Sequence, residues 1–447
     1  MTHSEMPSGQ MASDGIRDRM APTKRQVIIA AAFTAPLLLV VVHICARSAG
    51  SLVNCDFNAM YAAGLTVRAG HGLELYDLQK QAALQQKLFH RGDFLVEDHP
   101  PFEALLLAPL TKLSFVQAYE LWGAINIALW MLFAYLIRPY APATTKNALR
   151  YLPFCFLFYP SWVVMFQGQT SFLVLVMYTL AFLCLKRGRD LWAGVFLGLG
   201  LIKFTIVLPF ALICLLRGKW RMMAGFAVTA SLLGVISIAT VGFAGVLAYL
   251  HLLFDIARHS ANPAYATVRP WTMPTIQGLL GALVRSHVPS MWINTAVALV
   301  SGLLLLLTAR RWWRVDRSGS GAEQNLMFAA ALSVSLVTSP HLYTHDLALM
   351  LLAVLLVVGS PQWEERSAWQ GILTVSIVVL YLPPVYLMLP VTIKLYVLAL
   401  ALMNFALVTL FAASPAGLNP FASDDDAGDV RLGGNNETLR VGKNDKF

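Results

Sequence analysis

A chain of 447 residues with 57% hydrophobic and only 13% charged side chains is neither an ordinary soluble globule nor a disordered polymer. A mean hydropathy of +0.62 is compatible with a net charge of +9 when the lysines and arginines sit in short connections between apolar runs, a pattern that reports membrane topology and argues against a nucleic-acid partner. Five cysteines without regular spacing argue against a disulfide framework or a zinc module and read as packing residues.

Residues 1–25 have loop-like composition. The run 26–46 follows a basic stretch (Arg17, Arg19, Lys24, Arg25), and its length, with many later spans, favours an uncleaved anchor over a secretory signal. Full spans are predicted near 26–46, 116–137, 151–166, 170–186, 222–242, 290–309, 324–338, 342–358, 369–388 and 391–412, about ten in all. Placing the basic loops (138–150, 186–189, 217–221, 310–317 and that around Arg366) in the cytoplasm leaves both termini inside a plasma-membrane protein. The run 191–216 has basic residues at both ends and Lys203 in its middle, which predicts two half-length helices entering and leaving from the cytoplasm. The tail 414–447, with Asp424-Asp425-Asp426 and Gly433-Gly434-Asn435-Asn436, reads as disordered. The expected organisation is therefore an all-α polytopic domain over 26–413, with 47–101 as its first extracytoplasmic loop.

On this path the opposite face collects the polar residues: the loop 47–101, the turn Gln167-Gly168-Gln169-Thr170, the segments 255–272 and 339–346, and Pro383-Pro384. Within the first loop, Leu73, Leu75, Leu78, Leu84 and Leu88 recur at helical spacing, predicting an interfacial helix that caps a lateral opening to lipid. Pro100-Pro101 then breaks the chain, and 102–113 is too short to span, predicting a tilted or re-entrant helix. Asp56, just after the first span, puts a carboxylate at the outer mouth of the bundle. It reads either as the cap of a helix through Tyr61 and Gly64 or as a general base.

Asp56-Phe57 with Tyr61 and Ala63-Gly64, Leu75-Tyr76-Asp77, His99-Pro100-Pro101-Phe102 with Leu107-Ala108-Pro109-Leu110, Gly168-Gln169, Gly198 to Lys203, and Ser339-Pro340 before His345-Asp346 together resemble glycosyltransferase family 87. The resemblance runs from about Asp56 to about Asp346 with the elements in the family's order. One departure is the proline that often follows the family's lysine closely, which here is delayed to Pro209. The resemblance implies a GT-C fold, an extracytoplasmic active site and a polyprenyl-phosphate-linked sugar donor, with mannose the expected sugar. It also points to Asp56 as the base.

Transfer from a polyprenyl phosphate needs a base for the acceptor hydroxyl and donors for the departing phosphate, which leaves as an anion without needing an acid. The phosphate-binding candidates are Lys203, Arg258, Arg269, His341 and His345, the arginines for their bidentate geometry and Lys203 because an intramembrane ammonium is expensive unless used. Either histidine can match the family's. Tyr61, Asp98, His99, Glu103, Gln169 and Asp346 are candidates for the acceptor or the sugar, although Asp98 and Glu103 could equally cap the short helix. His341 and His345 with Asp346 lack a third ligand of convincing spacing, so no metal and no cofactor are expected. Membrane lipids and a lipid or glycan acceptor complete the expected partners. A lipid-linked-sugar flippase is the alternative, since broken helices and Lys203 also suit a translocation path, but no inverted halves are visible. A glycan polymerase or ligase would carry a large late outer loop, whereas the large loop here is early.

Overall fold

The computed structural model describes residues 23–47, 55–90, 94–140, 151, 154–257, 273–284, 287–363 and 368–412. The predicted terminal tails, apart from the last residues before the first helix, lie outside the described residues, as do Arg258 and Arg269. Among the described residues every regular element is helical and no strand occurs. Six stretches have the length and apolar character to cross a membrane: Lys24–Arg47, Phe115–Tyr140, Asp190–Leu216, Trp220–Ala257, Ser290–Arg317 and Val391–Ala412. Other predicted spans are shorter or broken pieces, because protein, not lipid, surrounds much of their backbone.

Helix α1 (Lys24–Arg47) packs along the later helix over Phe115–Ile137 and is followed by α2 (Phe57–Arg68) and α3 (Leu78–Phe89). The Asp77 side chain caps α3 by accepting from the Gln79 and Lys80 N–H groups, and His90 ends it in the left-handed region. The helix exists where the leucine spacing predicts it, but its fully buried residues are Gln81 and Gln85. Gln85 exchanges two hydrogen bonds with the Leu95 backbone (2.7 and 3.0 Å), and Gln81 accepts from the Glu97 N–H (2.9 Å). Thus α3 pins the extended segment that carries Glu97, Asp98 and His99. Pro101 starts α4 (Pro101–Leu107), which runs into a 3-10 segment (Ala108–Lys112), and a Ser114–Gln117 capping box opens α5 (Phe115–Ile137).

Next come α6 (Tyr159–Gln167), α7 (Ser171–Lys186), α8 (Asp190–Leu199) and α9 (Phe204–Leu216), with a 3-10 turn over Gly200–Lys203 joining the last two. Although Asp190–Leu216 is long enough to cross as one rod, it folds back at Lys203. Lys186, just before α8, donates to the Gly321 carbonyl (3.0 Å), and Arg217, just after α9, pairs with Asp316 (2.8 Å), so both ends of the hairpin sit at one end of the bundle. Lys203 at the tip meets Gln169, at the other end of α7. Each limb is about 20 Å long, short of the roughly 30 Å of a hydrocarbon core, so neither limb is long enough to cross one by itself.

Glycines let the hairpin base seat closely on α10 (Trp220–Ala257): a Cβ on Gly194 would lie 1.8 Å from the Met222 carbonyl oxygen, and one on Gly225 would lie 2.1 Å from that of Leu191. Backbone cannot yield as a flexible side chain can. Gly225→Ala is therefore expected to destabilise the protein by about 1–3 kcal/mol, read as a lower midpoint in detergent thermal melts. An unchanged midpoint would contradict this packing. The predicted span 222–242 ends at a kink at Gly242 (φ 69°), but the helix continues to Ala257 over the first loop, where the Tyr249 hydroxyl donates to the Asp98 carbonyl (3.3 Å).

Helices α11 (Ile276–Val284) and α12 (Ser290–Ser318) precede the centre of the bundle, where α13 (Gly321–Val337) and α14 (Met350–Val358) are buried almost throughout. A helix apolar all round is stable only in such surroundings. Helix α15 (Ala368–Tyr381), the short α16 (Pro383–Leu387) started by Pro383-Pro384, and α17 (Val391–Ala412) close the fold.

Candidate active site

Five separate pieces of chain meet at the hairpin tip: Asp56 at the start of α2, Asp98-His99 before α4, the α6–α7 turn, Lys203, and the segment 341–346 between α13 and α14. The turn is held rigidly. Trp122 and Tyr119 on α5 donate to carbonyls of Gly168 (2.7 Å) and Met165 (3.1 Å), and Gly168 occupies the left-handed region (φ 65°) where a Cβ would stand 2.8 Å from that of Phe57. This presents Gln167 and Gln169 side by side: Gln167 Oε1 accepts from the Asp56 N–H (3.0 Å), and Gln169 Nε2 donates to Asp56 Oδ2 (2.7 Å).

The Asp56 carboxylate makes no cap hydrogen bond to α2, although the residue holds the N-cap position. It faces the cavity with about a third of its side chain exposed (32%). Burial raises its pKa above the usual carboxylate range, while the Gln169 hydrogen bond and Lys203 restrain the rise.

Two bridges join Asp56 to the buried Lys203. In the first, the Gln169 amide donates to Asp56 and its oxygen accepts from Lys203 Nζ (2.9 Å), which settles the amide's orientation. In the second, His345 places Nδ1 3.6 Å from Asp56 Oδ2 and Nε2 3.5 Å from Lys203 Nζ. Burial, with the Lys203 charge nearby, lowers the His345 pKa to about 3, so the ring is neutral; a proton on Nδ1 and a lone pair toward the ammonium suit both neighbours. Behind them Asp346, 1% exposed, lies 3.3 Å from Lys203 Nζ and accepts from the Ser171 hydroxyl (3.2 Å) and the Tyr343 N–H (3.0 Å). The ammonium occupies the place a metal on His345 and Asp346 would need.

A polar cavity of about 270 Å³ is lined by Asp56, Asp98, Gln167, Gln169, Tyr343 and His345, among others. A second cavity of the same volume is apolar, with Ile202, Phe204, Leu253, Ile256 and Ala257 in its walls. Four residues line both: Asp98, His99, Lys203 and His341. His341 Nε2 lies 3.8 Å from Asp98, and Lys203 is the sole lysine or arginine among the described lining residues.

His99 Nδ1 lies 3.0 Å from Glu97 and 3.9 Å from Glu103; burial alone would lower its pKa, but those two carboxylates overcome burial and push it up to about 10. Of the predicted site residues, Asp56, Asp98, His99, Gln169, Lys203, His341 and His345 line the cavities. Asp346 and Glu103 stand behind the wall. Tyr61 is turned away, donating to the Leu113 carbonyl (2.8 Å) among Phe57 and Phe115. Glu97 and Ser171 escaped sequence reasoning. The first carried a signal in the acidic pair before His99, the second none.

Residues 99–340, more than half of the chain, match the family model described as Glycosyltransferase family 87. The match begins at His99 and ends at Pro340, so it covers Lys203 and its hairpin and stops short of both Asp56 and His345. No curated protein and no solved structure matches the chain. With several membrane-length apolar helices around a charged, two-part cavity, this chain belongs to glycosyltransferase family 87 and is a membrane-integral sugar transferase.

Proposed function

We propose that this protein is a GT-C transferase, with its catalytic domain over 26–413, that moves mannose from a polyprenyl phosphate to a lipid or glycan acceptor of the cell envelope. The observation that carries this reading is the shared wall of the two cavities. A polyprenyl-phosphate sugar is apolar at one end, anionic in the middle and polar at the other, which is the order apolar chamber, wall with Lys203 and His341, polar chamber. The opposite end of the bundle carries Lys186, Arg187, Arg189, Arg217, Lys219 and Arg221, which supports a cytoplasmic placement for that end and an extracytoplasmic site.

In this reaction Asp56 accepts the proton of the acceptor hydroxyl as its oxygen bonds the anomeric carbon. The carbon–oxygen bond to phosphate breaks, and the electron pair leaves with the polyprenyl phosphate. Lys203, with His341, holds that anion. One displacement inverts the anomeric centre. Gln169 and His345 keep base and cation in register, and Asp98 and His99 contact the acceptor or the sugar.

The test is transfer of radiolabelled mannose from polyprenyl-phosphate-mannose to an envelope lipid extract by the purified protein in liposomes. Labelled lipid or glycan with inverted configuration supports the reading. Translocation of the labelled donor across the bilayer without transfer would replace it with a flippase.

A further inference from the structure

We propose that Glu97, His99 and Glu103 form a binding site for one divalent transition-metal ion of the manganese or zinc class. One ligand atom from each residue lies within 4.8 Å of the others, close enough for a single ion to reach all three. A mixed imidazole and carboxylate set suits such an ion better than magnesium or calcium.

The second observation is a missing set of partners. Glu103 is 1% exposed, yet neither of its carboxylate oxygens has a hydrogen bond, and Glu97, 4% exposed, leaves Oε2 equally unmatched. The Thr170 hydroxyl is the near donor to the Glu103 carboxylate, but at a geometry short of a normal hydrogen bond. Buried carboxylate oxygens are costly unless something positive meets them. Glu103 Oε2 is 3.9 Å from His99 Nδ1 and so is aimed into the cluster. The scaffold is stiff: Gln81 holds the Glu97 backbone, Pro100-Pro101 follow His99, and Glu103 sits in the first turn of α4.

Charge balance points the same way and rests on the phosphate-donor reading above. Asp56, Glu97, Asp98, Glu103 and Asp346 put five carboxylates in and behind the cavity walls, against Lys203 and the His99 imidazolium as the cations described there. A phosphate beside Asp98 would meet net negative charge. A divalent ion taking the place of the His99 imidazolium proton, in the wall that both chambers share, balances Glu97 and Glu103 and adds one net positive charge beside the donor.

Manganese(II) titration of the full-length protein in lipid nanodiscs, followed by electron paramagnetic resonance without any donor, reads the site directly. The expected result is one bound ion per chain, displaced by zinc. Glu103→Gln and His99→Gln should each weaken binding by at least about 10-fold, as loss of one of three ligands does. A manganese-induced rise in melting temperature in the wild type, absent in Glu103→Gln, separates lost binding from misfolding. No stoichiometric ion, or equal binding by folded variants, overturns the proposal and leaves His99 as an imidazolium between two glutamates. Because binding is measured without sugar, failure of the donor reading would show in the transfer assay alone.

Discussion

Asp56→Asn is expected to lower mannose transfer by about 100- to 10,000-fold, the usual contribution of a positioned general base, while leaving the melting temperature close to that of the wild type. The amide keeps the carboxylate's shape and can still meet Gln169, and the native side chain makes no cap bond that α2 would lose. Asp98→Asn is the necessary companion, because Asp98 also lines the polar cavity and lies 3.8 Å from His341. If Asp98→Asn abolished transfer and Asp56→Asn did not, the base would be Asp98. The pH profile gives an independent reading. A base works deprotonated, and burial raises the Asp56 pKa, so kcat/KM should fall as pH drops through a value above the ordinary carboxylate range. Lys203, His99, Asp98 and His345 face this group, and His345, titrating at about 3, adds no limb near neutrality. Activity that holds constant down to the ordinary carboxylate range would contradict the assignment.

The largest stability effect is expected at Asp346. Removing this carboxylate in Asp346→Leu strands the buried Lys203 without its closest counter-charge and removes the carboxylate to which Ser171 Oγ and the Tyr343 N–H donate. Breaking a buried ion pair from one side costs about 3–5 kcal/mol, mostly the penalty of the charge left behind. Replacing both members, as in Lys203→Met with Asp346→Leu, removes that penalty and should restore much of the stability. Transfer should stay lost in the double variant, because the cation for the phosphate is gone. Denaturant unfolding of the four proteins in one cycle tests this, with additive single effects as the contrary result.

The residues that declared themselves in the sequence were those whose chemistry conflicts with their surroundings. Lys203 in an apolar run could be read as functional, and the basic residues flanking its run predicted the fold-back that the Lys186 and Arg217 contacts display. Asp56 was ambiguous, because a carboxylate opening a helix is a cap by default; only the tertiary approach of Gln169 turns it toward the cavity. Leucine spacing located α3 but misjudged its face, since periodicity cannot anticipate that Gln81 and Gln85 will be buried by bonding backbone 10 to 16 residues away. Tyr61 belongs to the same class of error: a tyrosine one turn from a catalytic candidate packs among phenylalanines instead. The shared wall could not be read at all, because its four residues come from three distant segments that only the fold assembles.

The hairpin also has the geometry of a lever. A close backbone contact, at Gly194, lies nine residues before Lys203, a distance of about 14 Å along a helix. A tilt of about 5° at that fulcrum swings the ammonium by roughly 1 Å, and a misplacement of that size can cost a reaction about 100-fold. Substitutions far from any sugar or phosphate, at the end of the bundle where Met222 and Leu191 meet the glycines, therefore set how accurately the cation is aimed.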